Sequence, residues 1–141
     1  DAFSSLGAFQ NCTTLKSIYI PDTVTRIEAY AFDGCTALEN VRFSENLTVI
    51  NGAAFRNCTS LKTLDFKNNK ATLSFGNENF TNCTSLTEIY FPSNQICWTS
   101  GDACVKNCTA LEKIYISEER RDYFTKKFIP YYPNLQIISY E

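Results

Sequence analysis

The chain has 141 residues and carries 13 basic and 15 acidic side chains, a formal charge of −2. At 44% hydrophobic residues it can bury one core of its own. Its basic residues are scattered, which gives no footing for nucleic acid, and no run approaches the roughly 18 apolar residues of a membrane helix.

One pentad recurs five times: Asn11-Cys12-Thr13-Thr14-Leu15, Gly34-Cys35-Thr36-Ala37-Leu38, Asn57-Cys58-Thr59-Ser60-Leu61, Asn82-Cys83-Thr84-Ser85-Leu86 and Asn107-Cys108-Thr109-Ala110-Leu111. Cys12, Cys35 and Cys58 are spaced by 23 residues, and Cys58, Cys83 and Cys108 by 25. A period in the low twenties marks a solenoid, whose coils bury their apolar faces only by stacking on neighbours. The first coil lacks its opening half, since Ser4 stands where later coils have Ile27, Ile50 and Phe75, and the chain contains no methionine. The expectation is that Asp1 is a cut into a longer repeat array.

Each pentad leucine opens a Leu-x-x-apolar-x-apolar stretch, from Leu15/Ile18/Ile20 to Leu111/Ile114/Ile116. The period-two alternation predicts strands near 15–20, 38–43, 61–66, 86–91 and 111–116, each with one face buried. Pro21 and Pro92 follow two of them, where proline costs no ladder bond. Thr23, Asn46, Asn69 and Asn94 then stand where a short polar side chain can bond a turn and the neighbouring coil. In the second and third coils eight apolar positions repeat at identical offsets: Val24, Ile27, Ala31, Phe32, Cys35, Leu38, Val41 and Phe43 match Leu47, Ile50, Ala54, Phe55, Cys58, Leu61, Leu64 and Phe66. The Ala-Phe-x-x-Cys run is too short for a long helix, so the opposite side of the coil should be irregular turns and short helical pieces. Phe9, Phe32, Phe55 and Phe80 form one column and should stack ring beside ring, each burial contributing roughly 1.5–3 kcal/mol.

After Ile116 the repeat gives way to Ser117-Glu118-Glu119, which reads as a capped helix start, with Tyr123, Phe124 and Phe128 as its apolar face and Lys126-Lys127 in its last turn. Pro130 and Pro133 end it. Leu135, Ile138 and Tyr140 restore the strand pattern as a sixth strand near 135–140. The domain is thus divided into repeats at 1–116, the first truncated, and a helix-strand cap at 117–141 that shields the last coil.

The string from Ile27 to Phe43, Ile-x-x-x-Ala-Phe-x-x-Cys-Thr-x-Leu-x-x-Val-x-Phe, resembles the BspA-like leucine-rich repeats of bacterial and some protozoan surface proteins. The resemblance covers residues 2–116. Coil four departs from it with Asn79 in place of alanine, and coil five with Val105 in place of phenylalanine. The resemblance implies an α/β right-handed solenoid with a curved parallel sheet of about six strands. It also implies an extracellular or cell-surface setting and adhesion to a host, matrix or cell-surface protein.

The five pentad cysteines read as small buried hydrophobes, since inward side chains in register hold their Cβ atoms apart by more than the roughly 3.8 Å a disulfide prefers. Cys97 and Cys104 stand outside the pattern and are the one pair that could bridge. With no histidine and no Cys-x-x-Cys pair, neither a zinc site nor a cofactor is expected. Catalysis lacks a base, a phosphate loop and a carboxylate cluster, Asp65 and Glu88 facing one another only loosely, so the chain reads as no enzyme. Six Asn-x-Ser/Thr sequons occur, at Asn11, Asn46, Asn57, Asn79, Asn82 and Asn107, four of them produced by the pentad itself.

What varies at fixed offsets points outward from the strands: Ser17/Tyr19, Asn40/Arg42, Thr63/Asp65, Glu88/Tyr90 and Lys113/Tyr115. Tyrosine and arginine are enriched at binding hot spots, so Tyr19, Arg42, Asp65, Glu88, Tyr90, Lys113 and Tyr115 form the candidate protein-binding surface. Strands also favour tyrosine intrinsically, and the alternative is a solvated face on a structural spacer that presents another domain.

Overall fold

The computed structural model describes residues 7–93, 96–98 and 104–140 and is a stack of parallel coils. In chain order the strands are β1 (Ser17–Tyr19), β2 (Arg26–Ile27), β3 (Asn40–Arg42), β4 (Val49–Ile50), β5 (Thr63–Asp65), β6 (Leu73–Phe75), β7 (Glu88–Tyr90), β8 (Ile96–Trp98), β9 (Lys113–Ser117) and β10 (Gln136–Tyr140). The odd-numbered strands and β10 fall on the six predicted segments, β9 running one residue past its own to Ser117, and every pairing is parallel.

The sheets differ from expectation in two ways. The row predicted as one sheet is two: β1 pairs with β3, and β5, β7, β9 and β10 form a separate ladder. At the ends of the strands that part, Phe43 and Phe66 meet as a wedge, ring centroids 4.3 Å apart and planes tilted by 40°. The side predicted as turns and short helical pieces instead carries a second parallel sheet, β2-β4-β6-β8. Its segments are rich in β-branched residues (Val24, Thr25, Ile27; Thr48, Val49, Ile50), which suit a pleated surface. Stacking gives each backbone a ready partner, as in Thr48 N–H to the Thr25 carbonyl at 2.8 Å and Gly76 N–H to the Ile50 carbonyl at 2.9 Å. The turn expectation holds for the Ala-Phe-x-x-Cys runs.

Those turns explain the pentad. Asn11, Asn57, Asn82 and Asn107 lie at φ of 59, 62, 63 and 61°, and Gly34 at 75°. This left-handed region admits glycine freely and asparagine more readily than other residues. The asparagine amides then bond along the stack, Asn107 Nδ2 donating to Asn82 Oδ1 at 2.9 Å, Asn82 Nδ2 to Asn57 Oδ1 at 2.8 Å, and Asn57 Nδ2 to Asp33 Oδ1 at 3.0 Å. Asp33 is buried and takes a bidentate contact from Arg56 at 3.1 and 2.9 Å. Among the predicted turn-bonding residues, Asn46 Nδ2 donates to the Asp22 carbonyl and Asn69 Nδ2 to the Leu47 carbonyl; Asn94 lies outside the described residues.

The core is continuous from Ile20 to Leu135. Phe9, Phe32, Phe55 and Phe80 stack in sequence, with centroids 5.2, 4.9 and 5.8 Å apart. The cysteines are free thiols, all buried apart from the half-buried Cys12 among those described. They are more than small hydrophobes. Cys35, Cys58, Cys83 and Cys108 each donate Sγ–H to the carbonyl of the column phenylalanine one coil earlier, at 3.1, 3.2, 3.3 and 3.1 Å. Cys104 is likewise a free buried thiol, bonded to the Gly76 carbonyl at 3.1 Å, so it is not bridged to Cys97, whose side chain lies outside the described residues. Asn79, at the alanine position, is fully buried and fully used: Oδ1 accepts from Ala54 N–H at 3.1 Å, and Nδ2 donates to the Ile50 and Gly76 carbonyls at 2.9 and 3.0 Å.

At the cap Ser117 does not start the helix. Its backbone is extended (φ −73°, ψ 147°) and pairs with Tyr140, so a 3-10 turn at Glu118–Arg120 precedes α1 (Arg121–Phe128). Phe124 and Phe128 are buried as expected, Phe124 lying 4.8 Å from Phe91, whereas Tyr123 is exposed. The Tyr132 hydroxyl donates to the Val105 carbonyl, the place a thiol fills in earlier coils. The last strand is slipped by one residue: Gln136 pairs with Lys113 and Ile138 with Tyr115, so the pairing step is 23 (136−113) rather than the 24 that separates Leu135 from Leu111. A slip of one residue exchanges the two faces. Ile137 packs on the core, and Ile138 and Tyr140, expected inside, lie on the side of Tyr115.

Candidate protein-binding surface

Alternation along the strands sends the second residue of each (Ile18, Val41, Leu64, Ile89, Ile114) into the core and its neighbours outward. Because the coils stack in register, the outward residues form two rows. One runs Tyr19 to Arg42 and, past the break, Asp65, Tyr90, Tyr115 and Ile138; the other runs Ser17 to Asn40 and then Thr63, Glu88, Lys113 and Gln136.

The seven predicted residues all face outward, but as two groups rather than one strip. In the first, the Arg42 guanidinium lies 4.7 Å above the ring of Tyr19, which is 52% exposed. In the second, Tyr90 and Tyr115 stack with centroids 4.1 Å apart and planes within 4°. The Tyr90 hydroxyl donates to Glu88 Oε2 at 2.8 Å, and Lys113 Nζ reaches Glu88 Oε1 at 3.4 Å. The hydrogen bond to Glu88, followed by desolvation and Tyr115, holds the Tyr90 phenol well above its usual range, because ionising it would forfeit the proton that the neutral hydroxyl donates. Asp65 pairs with Lys67 at 3.1 Å, and Lys67 Nζ also lies 5.6 Å from the centre of the Tyr90 ring. Asp65 and Glu88 thus each have a cationic partner and do not act as a pair.

Sequence reading missed Lys67, Ile138 and Tyr140 on this surface. Lys67 stands two residues beyond Asp65, so the same alternation predicts it once the strand is extended past its apolar end. The other two depend on the slipped register. Among the described residues no group of side chains could hold a metal ion, and no helix is long and apolar enough to cross a membrane.

The chain matches the BspA type leucine rich repeat region, in six copies over residues 5–129. Among solved structures, a leucine rich repeat protein from T. pallidum superposes with a TM-score of 0.70 at 23% identity, over 95% of this chain and 60% of that one. A leucine-rich repeat protein from Bacteroides ovatus ATCC 8483 aligns over 94% of this chain and 56% of that one at 17% identity, but its TM-score of 0.30 is too low to bear on the fold. The chain therefore spans about 60% of the length of the T. pallidum protein. No curated protein matches it.

Proposed function

The chain belongs to the BspA-type leucine-rich repeat family, and we propose that it is a non-enzymatic recognition module of a secreted or surface-anchored protein. Its outward sheet face would grip a host, matrix or cell-surface protein. One observation carries this reading: the Tyr90–Tyr115 stack, fixed on both sides by Glu88, Lys113 and Lys67, stands half-buried on a hydrogen-bonded sheet. Such an anchor offers a large contact area whose ordering entropy is already spent. A second reading, a spacer that presents another domain, draws on the same ion pairs, since a face whose charges satisfy one another needs no partner.

The test is binding of the immobilised domain to extracellular-matrix and host-surface proteins, with the Tyr90→Ala/Tyr115→Ala double variant in parallel. A central tyrosine anchor contributes about 2 kcal/mol or more, so the double variant should bind at least tenfold more weakly while its melting temperature changes little. Undiminished binding would remove the stack from the interface, and no binding by the intact domain would favour the spacer.

A further inference from the structure

The break between β3 and β5 leaves backbone groups facing one another unpaired. On either side of it the ladder is regular: Ile20 N–H donates to the Arg42 carbonyl at 2.9 Å, Phe66 N–H to the Tyr90 carbonyl at 2.8 Å and Phe91 N–H to the Tyr115 carbonyl at 2.9 Å. The bond expected between them, Phe43 N–H to the Asp65 carbonyl, is not made. Nor does Lys62 N–H reach the Glu39 carbonyl, although Glu39 N–H reaches Lys16 and Thr87 N–H reaches Lys62, both at 2.9 Å. The opening is a cleft of about 390 Å³ bordered by residues 41–45 and 65–69.

The charges around this cleft are unequal. Asp65 is neutralised by Lys67 at 3.1 Å and Glu45 by Lys70 at 2.7 Å. Arg42 has no such partner: among the described residues no carboxylate lies within ion-pair distance of its guanidinium, which rests on the Tyr19 ring instead. Elsewhere on the outward face Lys62, Lys67 and Lys113 are each paired with an acid. A ring-backed guanidinium keeps its planar fork of donors free, and that fork matches the two oxygens of a carboxylate. An unsatisfied N–H in a sheet costs free energy that an incoming acceptor relieves.

We propose that this cleft receives the carboxylate of an aspartate or glutamate side chain on the partner protein, held by the Arg42 guanidinium with Phe43 N–H as second donor. The proposal rests on the reading that the outward face binds protein, and it specifies what that partner presents. A side chain fits better than a free anion, because Arg42 and Asp65 of the outward row border the cleft, and a protein docked on that row would reach it.

The experiment is an NMR titration of the intact domain, following the Phe43 amide and the Arg42 Nε–H. The probes are acetyl-Gly-Glu-Gly-amide, its glutamine counterpart, and acetyl-Gly-Gly-Gly with a free terminal carboxylate. The glutamate peptide should shift both resonances saturably and the glutamine peptide neither. Arg42→Gln should weaken the effect at least tenfold, and Arg42→Lys should fall between, since it keeps the charge and loses the fork. No saturable shift at tens of millimolar, equal shifts with the glutamine peptide, or undiminished binding by Arg42→Gln would overturn the proposal. Tighter binding of the free-terminus peptide would overturn the assignment to a side chain. Full partner binding by the Tyr90/Tyr115 double variant, with the glutamate peptide still titrating normally, would sink the tyrosine anchor and leave the cleft standing.

Discussion

The thiol ladder makes the fold sensitive to alkali, and the size of the effect follows from burial. Desolvation pushes Cys104 and Cys108 up to about 12 from an ordinary 9.0, and raises Cys58 and Cys83 strongly as well. A folded pKa above the unfolded one means that the folded state keeps its proton while the unfolded chain releases it. The stabilisation is therefore complete below about pH 9 and is lost as pH climbs toward the folded values. At pH 10 an unfolded thiol of pKa near 9 gains about 1.4 kcal/mol from ionising, whereas the folded thiol gains almost nothing. At that pH these four thiols together destabilise the fold by about 5–6 kcal/mol, comparable to the whole stability of a small domain, about 5–15 kcal/mol. Urea unfolding at half-unit steps from pH 7 to 10.5 should show a flat stability to pH 8.5 and a steep fall beyond it. Cys108→Ala is less stable at neutral pH, yet its alkaline slope should be shallower by the equivalent of one proton, about 1.4 kcal/mol per pH unit. An unchanged slope in that variant, or thiolate absorbance appearing in the folded protein near pH 9, would refute the reasoning.

Two further outcomes concern the backbone. Gly34→Ala places a Cβ 2.2 Å from Asn11 Oδ1 at a φ of 75°, so chemical denaturation should show a loss of about 1–3 kcal/mol. Glu78, at φ 59° with only a 3.7 Å contact to Arg56, carries the left-handed penalty without glycine's freedom. Glu78→Gly should leave stability unchanged or raise it by about 0.5–1 kcal/mol, and a clear loss would show that the Arg56 contact outweighs the strain.

The stack was legible because its signals are local and repeated. The apolar offsets from Val24 to Phe43 recur from Leu47 to Phe66, so strands, phenylalanine column and buried cysteines could be placed by counting. The first pentad position, asparagine or glycine in every coil, also announced a left-handed turn to a reading attentive to backbone rather than polarity. Other features have no such signature. Tyr30, Ala53 and Glu78 share a left-handed conformation, at 59, 57 and 59°, but nothing in their side chains. The thiol-to-carbonyl bonds are invisible to a hydrophobic pattern, since cysteine looks the same whether it fills space or donates a proton. The second sheet needs the neighbouring coil, because two-residue strands such as Arg26–Ile27 are not periodic enough to stand out alone. For the outward face, sequence found the residues and missed their grouping. The break between β3 and β5 and the slipped register of β10 are set by how rings and loops settle together, and each changes which side chains become neighbours.

The sequons bring chemistry and architecture into direct conflict. Within the pentads, asparagine is there for its left-handed backbone and its amide ladder, cysteine for its bond to the phenylalanine carbonyl, and the threonine that follows completes Asn-x-Thr as a by-product. Asn57 and Asn82 already donate their Nδ2 along the ladder, to Asp33 and Asn57. Asn79 is fully buried, with Nδ2 donating to the Ile50 and Gly76 carbonyls. A glycan there would have to pass through the core, and its attachment would remove an amide proton from a site with no water to replace the bond. A chain glycosylated at Asn79 during synthesis therefore cannot reach this fold. Secretion from a glycosylating eukaryotic host, followed by mass spectrometry of the soluble and retained fractions, should find Asn79 unoccupied in all folded material, with any occupied chain retained or degraded. Asn79→Gln, which removes the sequon but lengthens the side chain, should cost about 1–3 kcal/mol by breaking the bonds to Ala54, Ile50 and Gly76. A soluble, cooperatively melting species with a glycan on Asn79 would show that this coil closes differently from the geometry described above.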